Sequence, residues 1–177
     1  MTRDQKISLI KFVENIQFQF ADISLREGMK SHTINYFFEF YINTFLFQLY
    51  AIEILATNQG SRTPGSDGKL LVNTYNSKYS LLKELKNFTK YKSMPLRRIY
   101  IPKTKNEKRP ISIPTILDRA MQQLFLLILD PIIESHSDPN SFGFRKGRNQ
   151  IMAIGKIQKS LQSKPNTKLR SFDIQYI

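Results

Sequence analysis

The sequence predicts an α+β fold, with a helical N-terminal part followed by a β-hairpin and a further strand. Apolar residues recur near a 3.6-residue period in several segments, which is typical of amphipathic helices. Residues 96–114 alternate in the manner of two paired strands, and LRSFDI at 169–174 has the composition of another strand. A chain of 177 residues is long enough to form one domain, or slightly more, around a hydrophobic core.

Two helices are predicted ahead of residue 60. A first helix over about 4–20 follows from the spacing of Ile7, Ile10, Phe12, Val13 and Ile16. A single longer helix over about 33–58 is expected next, with Thr33 as its N-cap and Gly60 as its stop. Its many aromatic side chains can stack nucleobases, but helix-spaced aromatic residues more often form a core, and we favour the core.

Residues 60–68 (GSRTPGSDG) are predicted to form a loop because turn-forming residues dominate them. Three glycines beside Arg62 can bring backbone amides close to a phosphate, although most loops of this composition only connect two elements. A short basic amphipathic helix is expected over 77–90.

The hairpin prediction rests on Ile99 and Ile101 in one strand, Ile111 and Ile113 in the other, and a polar TKNE turn between them. We expect these isoleucines to pack inward against the next helix. Thr115 with Asp118 forms a capping-box-like start for that helix, over about 115–135. Its apolar positions are Ile116, Leu124, Leu127, Ile128 and Ile132, and a kink or break is expected at Pro131. A loop and a helix over about 149–163 follow.

Positive charge is concentrated in the later part of the chain. Residues 1–59 hold 5 Lys/Arg and 6 Asp/Glu, a net charge of −1, whereas residues 60–177 hold 22 and 8, a net charge of +14. Such a concentration is typical of a protein that binds a polyanion, and nucleic acid is the favoured partner. The alternative is a basic but merely solvated surface.

Several classes of site are disfavoured. Cysteine is absent, which excludes disulfides, thiolate metal ligands and a cysteine nucleophile, and His32 and His136 are too few for a histidine metal site. No secretory signal pattern is present. Residues 34–52 approach the length of a membrane span, but polar side chains recur along one side, so no membrane partner is expected.

Four segments occur in the order found in one family. They are NQGSRTPGSDG at 58–68, PLRRIYIPKTKNEKRPISIPTILDRAMQQ at 95–123, DPNSFGFRKGR at 138–148 and SFDIQYI at 171–177. Together they resemble the reverse transcriptase/maturase proteins encoded by group II introns. In the third segment Lys146 stands where the family usually has proline. The resemblance covers about residues 50–177; residues 1–50 match only as a helical extension.

The resemblance implies three regions: a helical N-terminal extension at 1–59, a fingers region at 60–165, and the start of a truncated palm at 166–177. The implied function is intron-RNA binding for splicing and, in a complete protein, RNA-templated DNA synthesis. The implied partners are intron RNA, an RNA template with a DNA primer, deoxynucleoside triphosphates and a complementary fragment that carries the rest of the palm.

The resemblance also assigns roles to individual residues. Lys103 and Arg109 are expected to contact the nucleotide triphosphate, because Arg and Lys bind phosphate oxygens well. The RNA-binding candidates are Arg62, Arg97, Arg98, Arg145 and Arg148. Asp173 is the implied catalytic acid and Mg²⁺ ligand, with the backbone carbonyl of Ile174 as a further ligand. Without the motifs, the hairpin cations would be interpreted as charges that protect a strand edge.

A second acidic block, Tyr-x-Asp-Asp, is not found in this sequence. One carboxylate cannot hold two Mg²⁺ ions, so the 177-residue chain alone is predicted to be inactive as a polymerase. Two other interpretations stay open: a stand-alone RNA-binding splicing cofactor or relic, and a non-intron reverse transcriptase of the same lineage. The Phe-, Ile-, Asn- and Lys-rich composition suggests a mitochondrion or chloroplast, with the bacterial cytoplasm as the alternative.

Overall fold

The computed structural model of the chain describes residues 2–86, 91–103 and 107–162. Within these ranges the fold combines six α-helices with a two-stranded antiparallel sheet, which agrees with the predicted α+β class. The predicted strand at 169–174, with Asp173 and Ile174, lies outside the described residues. The chain divides into two compact units, Met1–His136 and Ser137–Ile177. The predicted boundaries at 59/60 and 165/166 stay predictions.

The first helix, α1, is longer than predicted and spans Arg3–Glu27. The side chains of Thr2 and Gln5 form a capping box at its start. The helix ends at Gly28, whose φ of 86° is a backbone conformation that favours glycine. Two of the apolar residues whose spacing predicted this helix, Ile7 and Ile10, are exposed. Alternating steps of four and three residues define the actual face: Leu9, Val13, Ile16, Phe20 and Ile23.

The predicted single helix over 33–58 is wrong: two helices, α2 (His32–Ile42) and α3 (Phe45–Thr57), meet at a bend of 68°. The cause lies at the junction. Asn43 Nδ2 donates to the Glu39 carbonyl (2.8 Å) and the Thr44 hydroxyl donates to the Phe40 carbonyl (3.0 Å). Side-chain bonds of this kind compete with the helical backbone pattern. The N-cap of α2 is Ser31, not Thr33, and its hydroxyl accepts a hydrogen bond from the Ile34 amide.

One hydrophobic core joins α1, α2 and α3 to α5, which spans Ile116–His136. All five predicted apolar positions of α5 are buried. Most aromatic side chains of α2 and α3, including Phe47, belong to or pack against this core, so the core interpretation of these residues is confirmed. A second cluster joins α3 to α4 (Tyr75–Leu85) and to the first turns of α5. The helices ahead of residue 60 therefore share their packing with α5.

Of the kink or break predicted at Pro131, the break is wrong, since α5 continues to His136, and the kink stays a prediction. Proline has no amide hydrogen, so it cannot donate to the carbonyl of Leu127 four residues earlier. Gln17 of α1 supplies the replacement: its side-chain Nε2 lies 2.7 Å from that carbonyl. Packing against α1 thus compensates for the proline.

No single described helix is long and apolar enough to cross a membrane. The bent pair α2 and α3 reaches the required length and composition only when the two helices are taken together.

The second unit contains the loop predicted at 137–148 and one helix, α6 (Gln150–Gln162), close to the predicted 149–163. In the loop, Phe144 has a φ of 56° and is fully exposed, and Gly147 has a φ of 71°. No residue of α6 is buried among the described residues.

Candidate nucleic-acid interface

The β-hairpin is confirmed, with strands β1 (Arg97–Pro102) and β2 (Lys108–Ile113). The antiparallel register pairs Arg97 with Ile113, Ile99 with Ile111 and Ile101 with Arg109. Partners in a register share a face, so this pairing places Arg97 and Arg109 on one face as predicted. Lys103 extends β1, and its amide donates to the Glu107 carbonyl at 2.8 Å. The predicted turn falls at 104–107, of which 104–106 lie outside the described residues.

Burial along this face is graded, and the expectation that all four isoleucines pack inward is wrong. Ile113 is buried, Ile99 and Ile111 are half-buried, and Ile101 is 38% exposed. The reason is position: Ile113 lies two residues before Thr115 at the base, whereas Ile101 lies at the far end of the strand. The outer half of the hairpin therefore leaves the core.

A cluster of hydrogen bonds fixes the base of the hairpin where β2 leads into α5. The Thr115 amide and hydroxyl donate to Asp118 Oδ2 at 3.2 and 2.6 Å, and the Asp118 amide donates to the Thr115 hydroxyl at 3.2 Å. This reciprocal arrangement confirms the predicted capping box. The hydroxyl of Tyr91, which precedes β1, donates to Asp118 Oδ1. One buried carboxylate thus connects the segments on both sides of the hairpin.

These contacts shift the pKa values of both partners. Burial alone would raise the pKa of Asp118, but hydrogen bonds from Thr115 and Tyr91 outweigh it and lower the pKa. Burial, together with the adjacent Asp118 carboxylate, raises the pKa of Tyr91 to about 12. Asp118 is therefore a buried, ionised structural group at neutral pH.

The loop at 60–68 packs against the same base. Its first residues form a short 3-10 helix, Gln59–Arg62. Arg119 of α5 donates to three carbonyls: Nη1 to Gly60 and Nη2 to Thr63, both at 2.5 Å, and Nε to Pro114 at 3.1 Å. Burial lowers the pKa of this guanidinium, and the nearby Asp67 charge offsets part of the effect. The fork of Arg119 thereby joins the loop to the end of β2.

Gly65 explains why this loop needs glycine. A Cβ at this position would lie 2.6 Å from the Thr115 Cα and 2.9 Å from the Pro114 carbonyl oxygen, closer than real side chains approach a backbone. On the opposite side of the hairpin base, the Ser66 hydroxyl donates to the Pro95 carbonyl at 2.5 Å. Residues 60–66 therefore hold both ends of the hairpin.

The predicted cations of the first unit fall into two groups. Arg62, Arg98, Lys103 and Arg109 are exposed. Lys103 Nζ lies 3.5 Å from a Glu107 carboxylate oxygen, an exposed pair of the kind that contributes little to stability. Arg97 is half-buried, and its Nε is a buried donor for which the described residues provide no acceptor. Arg97 therefore differs from the other hairpin cations in having lost part of its hydration.

The second unit holds its two predicted cations in a different manner. Arg145 donates to the Ser137 hydroxyl at 2.5 Å, and Arg148 donates to the carbonyls of Asp138 and Ser141 at 3.0 and 2.5 Å. Both are half-buried, and these hydrogen bonds shape their own loop. Their predicted contact with RNA stays a prediction.

Comparison with known proteins identifies relatives, although no family model matches the chain. The chain is 33% identical to Protein YkfC of Escherichia coli over 114 residues, which are 63% of this chain and 30% of that protein. It is 30% identical over 152 residues to an uncharacterised 91 kDa protein in a cob intron of Schizosaccharomyces pombe, covering 81% of this chain and 18% of the relative.

The name of a third relative identifies the family. The chain is 36% identical over 80 residues to the group II intron-encoded protein LtrA of Lactococcus lactis, covering 45% of this chain and 13% of LtrA. This chain is a homologue of group II intron-encoded proteins. The predicted resemblance is therefore confirmed. The chain spans less than a third of the length of each of these three relatives.

No group of three or more His, Asp or Glu side chains suited to a metal ion occurs in the described part of this group II intron protein homologue. Asp173 and Ile174, the implied Mg²⁺ ligands, lie beyond it. Their roles stay predictions.

Sequence reasoning missed the residues that support the hairpin of this homologue. Gly65 lay inside a recognised motif, and its position just after Thr-Pro was a signal for a close backbone approach. Arg119 and Tyr91 had no comparable signal, because their partners lie 56 and 27 residues away in the sequence. Such contacts become visible only when the loop, the hairpin and α5 are placed together.

Proposed function

We propose that this chain is the RNA-binding N-terminal part of a group II intron-type reverse transcriptase/maturase. The observation that carries the proposal is the hairpin: Lys103 and Arg109 are exposed on its outer half, which leaves the core, Arg98 is exposed near its base, and that base is fixed. A fixed base matters because cations on a rigid support lose less conformational entropy when they bind a ligand. The homology to group II intron-encoded proteins supports intron RNA as that ligand.

We propose different roles for the cations at the two ends of the hairpin. Arg97 lies at the start of β1, whereas Lys103 and Arg109 lie at the far end, about 20 Å away for six residues of extended chain. We assign Arg62, Arg97 and Arg98 to RNA and assign Lys103 and Arg109 to the nucleotide triphosphate. Arg145 and Arg148 are proposed as further RNA contacts from the second unit.

Polymerisation is proposed only for a complete protein. Asp173, with the Ile174 carbonyl, would contribute oxygen ligands of the type that Mg²⁺ prefers. A single carboxylate does not fit two such ions, so further acids have to come from a segment outside these 177 residues, on the same or a complementary chain. The chain alone would then act as an RNA-binding maturase fragment, and a splicing cofactor without polymerase activity would use the same surface.

The proposed cellular location rests on the names and organisms of the relatives. A yeast cob intron protein is compatible with a mitochondrial location, and the bacterial relatives are compatible with a bacterial cytoplasm.

Electrophoretic mobility shift with the purified chain tests the proposal. The probes are a folded group II intron RNA, an unrelated structured RNA of equal length, and duplex DNA of equal charge. We expect the tightest binding to the intron RNA. Equal binding to all three probes would reduce the chain to a non-specific polyanion binder, and the proposal would be wrong.

A further inference from the structure

Helix α4 carries an aromatic pair on its exposed side. The rings of Tyr75 and Tyr79 are parallel within 9°, with centroids 5.8 Å apart. Lys83, one turn later, places its Nζ 4.6 Å from the centre of the Tyr79 ring. Tyr75 is 77% exposed and Tyr79 is 46% exposed, while Leu81, Leu82 and Leu85 bury the other side of the helix. Lys83, Tyr79 and Tyr75 therefore form a stack, and Tyr75 at its end is the more exposed of the two rings.

The same tyrosines line one wall of a groove of about 940 Å³ between α1, α3 and α4. Its apolar floor includes Phe12, Phe45 and Leu49, and Asn73 and Thr74 offer polar groups at the wall. The volume lies within the range of about 300–1,000 Å³ found for small-molecule clefts.

The charges of this groove nearly cancel. Glu53 accepts Lys78 Nζ at 2.5 Å and lies 3.7 Å from Lys6 Nζ, and Asp4 is the remaining acid of the lining. The outer side of α4 is basic, with Lys83 and Lys86 exposed and Glu84 paired to Lys69 at 2.9 Å. An uncharged aromatic group therefore suits the groove, and an anionic backbone suits its outer edge.

We propose that Tyr75 and Tyr79 form a stacking platform for an unpaired RNA base, with Lys83 and Lys86 beside the attached phosphates. An exposed ring stack next to lysines is the combination by which proteins bind single-stranded nucleic acid without reading its sequence. The inference rests on the proposed RNA-binding function and names a site apart from the hairpin cations.

Binding to two short RNAs tests the platform: a single-stranded RNA and an abasic RNA of equal length, which keeps the phosphates but lacks the bases. The purified 177-residue chain should prefer the base-containing RNA. Tyr75→Ala should lose about tenfold in affinity for that RNA and little for the abasic one. Tyr75→Phe should keep the preference, because the ring remains. Tyr36→Ala is the matched control, since Tyr36 is 68% exposed on α2, and it should change nothing.

Lys83→Gln separates charge from stacking. This substitution should lower the affinity for both RNAs by the same factor, because it removes a phosphate contact and leaves the rings in place. Thermal unfolding of each variant verifies that the fold is retained, which the exposure of Tyr75 leads us to expect.

The outcomes keep the two proposals apart. If the chain prefers neither RNA, or if Tyr75→Ala retains the preference for bases, the platform is wrong while intron-RNA binding can still hold. If the unsubstituted chain binds no RNA at all, both the platform and the proposed function fail.

Discussion

The side-chain amide of Gln17 in α1 donates a hydrogen bond to the Leu127 carbonyl in α5, at 2.7 Å. That carbonyl would receive the amide hydrogen of residue 131 in a regular helix, but residue 131 is proline. A contact between two packed helices that are far apart in the sequence thus replaces a bond within one helix.

Replacing Gln17 with alanine should lower the free energy of unfolding by about 1–3 kcal/mol, since it leaves a part-buried carbonyl without a donor. In a Pro131→Ala background the same change should cost clearly less, because the alanine introduced there can donate its own amide hydrogen to the carbonyl. Chemical denaturation of the four proteins in this double-mutant cycle measures the coupling. Asn15→Ala, an exposed change on the same helix, is the control. Equal costs in both backgrounds would contradict the compensation.

Gly65→Ala should destabilise the base of the hairpin by about 1–3 kcal/mol, because the added methyl group meets the backbone of Pro114 and Thr115. Gly60→Ala in the same loop is the matched control. Its Cβ would lie 3.6 Å from Arg119 Nη1, an ordinary contact, and it should be nearly neutral. Thermal unfolding distinguishes the two, and a neutral Gly65→Ala would show that the loop does not pack as described.

Acid should remove the stabilisation that Asp118 provides. Its folded pKa is lowered, so the contribution is complete above the ordinary carboxyl value of 3.8 and is lost as the pH falls through the lowered pKa. Asp118→Asn should be about 1–3 kcal/mol less stable at neutral pH and should lose less stability on acidification. Denaturation at a series of pH values tests this, with Asp22→Asn, an exposed acid paired with Arg26, as control. Parallel pH profiles for Asp118→Asn and the unsubstituted chain would be inconsistent with it.

Much of this fold was predictable because its signals are local. The hairpin follows from alternation over 97–113, and the start of α5 follows from Thr115 and Asp118, three residues apart. The errors have non-local or competing causes. Side chains at Asn43 and Thr44 bend a segment that is mostly apolar, and Gln17 compensates for Pro131 by donating to the Leu127 carbonyl, 110 residues away in the sequence.

The same distinction between local and non-local signals applies to the candidate interface. The identity of the exposed hairpin cations was visible in the sequence, because strand positions and charge are local properties. The support beneath them was not, since Arg119 reaches carbonyls of the 60–63 segment that only the tertiary structure brings close. The proposed Tyr75–Tyr79 platform was not predicted, because α4 was predicted to begin at residue 77 rather than at Tyr75.

Within a complete protein, Arg109→Ala should weaken nucleotide use while intron-RNA affinity changes little. The expected loss is about 1.5–3 kcal/mol, the range for one charge-assisted hydrogen bond. Steady-state kinetics with varied nucleotide, beside RNA binding of the same variant, measures both effects. Arg97→Ala should show the opposite pattern, with weaker RNA binding. Equal effects of both substitutions on both measurements would contradict the assignment of Arg109 to the nucleotide and Arg97 to RNA.

The salt dependence of RNA binding tests the central claim most directly. If about six phosphates are neutralised, log K against log salt should have a slope on the order of −4 to −5. Replacing Arg62, Arg97 and Arg98 together with Gln should make the slope shallower by about 2–3. The same loss of three charges at Arg3, Lys11 and Lys30, which are exposed in the acidic N-terminal part, should leave it unchanged. A slope near zero, or equal changes in the two triple variants, would contradict the account.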